Sequence, residues 1–402
     1  MAGTASDAPE PAQPAGFGRR VRLGVVGGGP GSFIGPIHRL AARMDDRFAI
    51  VASVLSADPG RSRDAGLALG IAPDRAYADA DALFAGEAAR TDAIDALAVM
   101  TPNDSHFALA ARAVGLGWDV VCDKPLTTGL DDARALVRAV DAAGVVFCTT
   151  YNYSAFPMVR QARAMVRDGR LGPIRQAQVC YVQPFNARLG EAEAGAGAGR
   201  PWRLVAEKVG ESMVLGDIGT HAFQLLEFVA GEPVAEVLAE VGAIVPGRQV
   251  DDYAMALLRL AGGGRATFWV TNAAAGAEHG LYLRIFGDGG GLEWWEENPN
   301  YLRWMPHAAP VQLLARDGPG LADDAARVTR TVFGHPEGYQ EAFANLYREV
   351  ADAIVDRRLG RKPAAPPDFP TVRDGARGIA FIAAAKRSAA AGGTWTAIPS
   401  VD

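Results

Sequence analysis

The stretch VRLGVVGGGPGSFIGPIH, Val21–His38, joins an apolar run, a glycine-dense turn and the start of a helical pattern. Val21–Val26 has the character of a buried strand. Gly27, Gly28, Gly29 and Gly31 allow a tight turn and close backbone approach, and a helix opening behind such a turn faces a pyrophosphate with its N-terminus. That is the context a dinucleotide fingerprint requires. The spacing departs from G-x-G-x-x-G. Gly27-x-Gly29 is present, but the next glycine at the helix start is Gly35, so Pro30–Ile34 contains an insertion of three residues. Gly27, Gly29, Gly31, Ser32, Phe33 and Ile34 are the candidate cofactor contacts of this turn.

Outward from the turn, strand and helix patterns keep alternating. A helix over Pro36–Met44 precedes a strand over Phe48–Leu55. Then come a helix (Arg61–Leu69), a strand (Ile94–Met100), a helix (Ser105–Val114), a strand (Asp119–Cys122), a helix (Leu130–Ala142) and a strand (Val145–Thr149). The alternation predicts an α/β fold, a doubly wound parallel sheet over residues 19–150. Beyond it, a helix over Phe156–Arg167 leads into strands at Arg175–Val182, Val234–Val241, Ala254–Leu260, Arg265–Thr271, Tyr282–Phe286 and Leu292–Trp295. Their spacing predicts an antiparallel or mixed sheet. Helices near Gln340–Arg357 and Val372–Ala390 close the chain. Residues 1–18 read as a disordered tail, and Glu191–Gly199 as a mobile low-complexity loop.

The 402 residues suffice for two domains, and 49% hydrophobic with 21% charged residues is globular composition. It excludes a collagen, a coiled coil and a disordered chain. A net charge of -6 leaves no basic footprint for nucleic acid. No apolar run approaches the ~20 residues of a membrane span. Arg19-Arg20 is a twin arginine, but the glycines behind the next apolar run suit a strand and its turn better than an export signal. Cys122, Cys148 and Cys180 show no paired spacing, which argues against disulfides and zinc and for a reducing, cytoplasmic setting. The sequence shows no metal site, nucleophilic serine motif or P-loop.

An NAD-type site places a carboxylate about 20 residues beyond the glycines, at the end of the second strand, to bind ribose hydroxyls. Here that position holds Ser56, with Asp58 two residues on and Arg61 and Arg63 behind it. Ser56 removes the charge that repels a 2′-phosphate, and either arginine suits one; equally, Asp58 suits NAD. The cofactor is therefore NAD or NADP, with the balance tipped slightly to NADP.

Three further motifs follow in order: Thr101-Pro102-Asn103-Asp104-Ser105-His106, Asp123-Lys124-Pro125, and Leu215-Gly216-Asp217-Ile218-Gly219-Thr220-His221. With Gly27–His38 they resemble the Gfo/Idh/MocA family of NAD(P)-dependent sugar and inositol oxidoreductases, over roughly residues 20–390. Asp123 replaces the family's commoner Glu. The resemblance implies a second α/β domain over 151–402, with a large open, mostly antiparallel sheet that serves substrate binding and a homo-oligomer contact, as a dimer or tetramer. It also maps the family's functional Lys, Asp and His onto Lys124, Asp217 and His221.

The residues themselves suit that chemistry. Oxidising a secondary alcohol needs a base, and the unperturbed pKa of ~6.5 fits His221 for it. Asp217 and His221 stand at i and i+4, so a helix capped at Gly216 projects both from one face. Lys124 ends a parallel strand, where such sheets place ligands. Thr101, Pro102, Asn103, His106, Asp123 and Pro125 are candidates for the cofactor crevice; Asn103 suits an N-cap and His106 a structural helix start equally well. Tyr153, Trp202 and Arg203 join Lys124, Asp217 and His221 as candidate substrate contacts. The expected partner is a small carbohydrate or polyol, with no nucleic acid and no membrane. Two other readings stay open: a lyase or hydrolase that retains its cofactor through transient oxidation, and a non-catalytic dinucleotide-binding regulator.

Overall fold

The computed structural model describes residues 17–189, 202–363 and 365–402. Five short apolar strands, β1 (Val21–Gly27), β2 (Phe48–Val54), β3 (Ala96–Met100), β4 (Asp119–Cys122) and β5 (Phe147–Thr149), pair in parallel in the order β2-β1-β3-β4-β5. Every residue of β3 and β4 is buried, because helices cover both faces. The chain leaves β1 for β2 on one side and returns to β3 on the other. The crevice of such a sheet opens where the order reverses, at the C-terminal ends of β1 and β3.

The second sheet has nine strands: β6 (Ile174–Val182), β7 (Val234–Gly242), β8 (Tyr253–Leu260), β9 (Arg265–Thr271), β10 (Leu281–Gly287), β11 (Gly290–Trp295), β12 (Tyr301–Pro306), β13 (Gln312–Ala315) and β14 (Thr396–Ala397). It is antiparallel except where β6 lies parallel to β9. Along β8 and β9 burial alternates residue by residue, so one face meets helices and the other presents Met255, Leu257 and Trp269. The helices Pro157–Arg167 and Thr220–Ala230 pack on the inner face.

The C-terminal helices tie the sheets together. Tyr339–Arg358 lies against the helix Ile34–Met44, with His38 Nδ1 2.8 Å from the Tyr347 hydroxyl. Val372–Ala390 lies against both Leu130–Ala143 and β7. One continuous apolar core results, with residues from both sheets.

Several expectations need correction. The helix Ala80–Ala88 and the strands β12 and β13 were not anticipated. Phe17, assigned to the tail, packs on the core, and Arg19 sits 4.6 Å from its ring. The rest of that tail up to residue 16 and the low-complexity loop lie outside the described residues.

Candidate functional site

A cleft of about 1820 Å³ runs from the Gly27 turn to the face of the second sheet. Its first half is lined by Gly27, Gly28, Gly31, Ser32, Phe33 and Ile34, then by Ser56, Thr101, Pro102 and Asn103. The turn is built for close approach. A Cβ on Gly29 would lie 1.7 Å from the Leu55 carbonyl oxygen, and one on Gly35 would lie 1.8 Å from that of Gly28. Any side chain at either position would push the turn off β2 or off its helix. The 11-residue helix Ile34–Met44 opens directly behind, so its dipole points where a pyrophosphate would lie, with the Gly35 N–H already donating to Ser32 Oγ at 3.2 Å. The turn therefore fits a dinucleotide, despite the insertion.

At the ribose end the expected residues separate: Ser56 lines the cleft, and Asp58 and Arg61 do not. Asp58 is exposed and lies outside the cleft lining, where its Oδ1 accepts from the Arg61 N–H at 2.8 Å and caps the helix Pro59–Ala68. Arg61 is exposed on that helix. Ser56 lines the cleft, and its Oγ accepts from the Asp58 N–H at 3.1 Å. Asp79, absent from the expected set, lines the cleft nearby while capping Ala80–Ala88 through Ala82 N–H.

Deeper in, Asp123 and Lys124 follow β4. Asp123 Oδ1 accepts from Lys124 N–H at 3.0 Å and from the Thr150 hydroxyl at 2.8 Å, which fixes the loop. The Lys124 ammonium donates to the Asp217 main-chain carbonyl and lies 3.4 Å from its Oδ1. Arg203 Nε donates to the same Oδ1 at 3.2 Å, and its guanidinium stacks 4.4 Å over the Trp202 ring. Burial alone would raise the Asp217 carboxyl, but Lys124 and Arg203 outweigh it and hold it below its ordinary value. Asp217 is thus a charged clamp on Lys124.

The expected helix cap at Gly216 is wrong. The helix begins at Met213, after Ser212, whose Oγ accepts from Leu215 N–H at 3.1 Å. Asp251 ties down the same end through Ser212 and Val214 N–H. Leu215–Gly219 then makes one wide π-type turn that carries Asp217, continuing directly into the α-helix Thr220–Ala230 that carries His221. His221 is 7% exposed, lines the cleft, and has an Nδ1 with no hydrogen-bond partner. Burial first, then the charge of Lys124 and the neighbouring His279, hold its imidazole well below 6.5. At neutral pH it is an unprotonated base.

A wall of the second sheet completes the cleft, and sequence reading missed most of it. Tyr153, whose ring lies 4.9 Å from His221, forms a triangle with Tyr181 and His279. The two hydroxyls are 2.6 Å apart, and His279 Nε2 is 2.8 Å from Tyr153 and 2.7 Å from Tyr181. Gln183 and Glu296 stand beside them in the lining. Tyr181 and Gln183 come from β6 and its end, His279 precedes β10 and Glu296 follows β11, so strand pairing alone brings them together.

The remaining expected residues are placed as follows. Asn103 lines the cleft and donates to Val209 carbonyl at 3.4 Å. His106 lies outside the lining, with Nδ1 2.8 Å from the Pro125 carbonyl and Nε2 2.9 Å from that of Thr101, so it joins two loops. Pro125 follows a cis bond and is likewise outside the lining. Trp202 and Arg203 line it. Among the described residues no group of three His, Cys, Asp or Glu side chains could hold a metal, and no helix is long and apolar enough to cross a membrane.

Comparison with known proteins agrees with this layout. Residues 21–151 match the oxidoreductase family's NAD-binding Rossmann fold, and residues 159–293 match the GFO/IDH/MocA C-terminal domain. The chain is 32% identical over 379 residues to the uncharacterized oxidoreductase YfiI of Bacillus subtilis, covering 93% of this chain and 96% of that one. A crystal structure of an inositol dehydrogenase homolog from Azotobacter vinelandii, complexed with NADH and myo-inositol, superposes with a TM-score of 0.87 at 34% identity, over 97% of this chain and all of that one (100%). An oxidoreductase from Sinorhizobium meliloti matches at 40% identity and a TM-score of 0.83, over 94% of this chain and 99% of that one. The chain is therefore an NAD(P)-dependent oxidoreductase of the Gfo/Idh/MocA family.

Proposed function

We propose that this enzyme oxidises a secondary hydroxyl of a sugar, glycoside or inositol-like cyclic polyol, with NAD or NADP as acceptor. One observation carries the reading: a neutral, buried His221 and a clamped Lys124 share one cleft with the Gly27 turn. The sugar and inositol dehydrogenases among its relatives, including a myo-inositol 2-dehydrogenase of Thermotoga maritima, support the substrate class.

The residues divide the work. The glycine turn and the N-terminus of Ile34–Met44 hold the pyrophosphate, with Ser56 at the ribose end. The nicotinamide, when bound, supplies the hydride acceptor. Lys124 holds the substrate oxygen and favours its alkoxide character. His221 takes the hydroxyl proton, and its lowered affinity for protons keeps it free to do so at neutral pH. Asp217 keeps Lys124 aimed, and Trp202 offers an apolar face to a sugar ring beside Arg203. The exposed apolar face of β8 and β9 serves a homo-oligomer, and the setting is cytoplasmic.

The test is cofactor binding by the purified protein, NAD against NADP, followed by an absorbance screen for reduced nicotinamide across cyclic polyols and glycosides. Turnover that collapses in Lys124→Ala and His221→Ala is the expected result. Cofactor binding without turnover on any polyol would sink the dehydrogenase reading.

A further inference from the structure

Among the described residues the Glu296 carboxylate has no hydrogen-bond donor, although it is only 14% exposed and lines the cleft. Its nearest cationic candidate is His279, at 3.8 Å from Nε2 to Oε2, too far for a hydrogen bond. Its neighbour Glu297 is occupied otherwise: it accepts from the backbone N–H groups of His279 and Gly280 and so pins the turn that carries His279. A half-buried acceptor without a donor is costly unless something else fills it. In keeping with that cost, burial and then Glu297 push the Glu296 carboxyl up to about 7.

The groups beside it are incompletely matched too. The Gln183 amide lies 3.2 Å from His279 Nδ1 and donates to it, so the neutral imidazole carries its hydrogen on Nε2. That hydrogen points at the tyrosine oxygens. The contact between the two hydroxyls consumes one of their two hydrogens, and the other is left for the cleft. The Gln183 amide also donates to the Tyr181 hydroxyl at 3.2 Å, so what the wall offers is one hydroxyl hydrogen and a carboxylate. A sugar hydroxyl, both donor and acceptor, is the complement of such a set.

We propose that Glu296, with Tyr153, Tyr181 and His279, forms a second hydroxyl-binding subsite for the non-reacting hydroxyls of a ring polyol. Glu296 is its specificity-determining acceptor. By gripping neighbouring hydroxyls it fixes which ring carbon reaches Lys124 and His221. The proposal rests on the polyol reading above and deepens it.

The experiment is calorimetric titration of myo-inositol, D-glucose, D-xylose and levoglucosan into the NADH-loaded protein, comparing wild type with Glu296→Leu and Glu296→Gln. Loss of hydrogen bonds to a charged group weakens binding by about 10- to 100-fold in Glu296→Leu, and by less in Glu296→Gln, which keeps one oxygen. For the best-bound polyol, one monodeoxy analogue binds wild type more weakly and Glu296→Leu no worse than the parent compound does. Equal affinity in wild type and both variants overturns the subsite. So does failure of all four polyols to bind wild type, or the absence of any such coupled deoxy position. Turnover is scored separately. Polyol that binds through Glu296 without reducing nicotinamide sinks the dehydrogenase and leaves the subsite. Turnover with KM unchanged in both variants sinks the subsite and leaves the dehydrogenase.

Discussion

Two glutamates, Glu87 fully buried and Glu296 half-buried, have opposite surroundings. Glu87, on the helix Ala80–Ala88, is 0% exposed and accepts four hydrogen bonds. Arg75 Nε (3.0 Å) and the Tyr77 hydroxyl (2.9 Å) reach Oε1, and Arg75 Nη2 (2.5 Å) and Ile94 N–H (3.0 Å) reach Oε2. Glu296 accepts none among the described residues. The first site is closed, so its work is to tie the helix to Arg75, Tyr77 and Ile94. The second has no protein donor and lies on the cleft lining that also carries His221. A cleft-lining carboxylate that no protein group donates to marks where a ligand hydroxyl can complete the structure.

The largest effects should separate the two kinds of site. Lys124→Ala removes a group that acts on the reacting oxygen. We expect kcat/KM to fall by ~10²–10⁴, with a smaller loss of thermal midpoint than in Glu87→Ala because Arg203 still pairs with Asp217. Glu87→Ala does the reverse. It leaves the buried Arg75 charge only Asp92, at 3.4 Å, and should cost about 3 kcal/mol in denaturant unfolding, with kcat of the folded fraction intact. If Glu87→Ala lowers kcat as well at a temperature where the protein stays folded, the division between closed and open sites fails.

A middle case is Gly29, which lies outside the cleft lining but packs the turn that lines it. Its added Cβ meets a backbone oxygen of Leu55, which cannot rotate away. Gly29→Ala should cost about 1–3 kcal/mol and weaken cofactor binding together with stability. Full affinity for NAD and NADP in a destabilised variant would show that the turn can shift away from β2 and still cradle the phosphates.

The same contrast governs what the sequence discloses. The Gly27 turn, Lys124, Asp217 and His221 are legible because each lies in a short motif at a fixed place after a strand or on a helix. The wall is not. Tyr181 meets Leu281 only through the β6–β10 register, and Glu296 arrives only because β11 pairs with β10. Nothing local distinguishes Glu296 from Glu297. Asp58 shows the same limit: it stands two residues beyond the position that Ser56 holds, and its carboxylate caps a helix. The start of the helix carrying Asp217 was missed because half of its cap, Asp251, comes from a distant segment. The helix Ala80–Ala88 (ADALFAGEA) has no clean apolar stripe, whereas β12 alternates, burying Leu302 and Trp304, and was readable.

The smallest effect should carry the opposite sign. Folding raises the Glu296 carboxyl from 4.5 to about 7. Between those values the folded chain holds more protons than the unfolded one, so this group's contribution to stability declines as pH rises through that window. The groups facing it are His279, held neutral by burial, the phenols of Tyr153, Tyr181 and Tyr339, and the carboxylate of Glu297; none is a cation at neutral pH. Above pH ~7 the ligand-free protein therefore carries an uncompensated charge. Glu296→Gln should stabilise it there by on the order of 1–2 kcal/mol and have little effect near pH ~5. Scanning calorimetry of both proteins without ligand, at the two pH values, reads the difference as a midpoint shift of a few degrees, roughly 2–4 °C per kcal/mol or less for a chain this long. A variant less stable than wild type at the higher pH would mean that Glu296 is held by the fold after all, like Glu87, and that its open acceptors are not kept for a ligand.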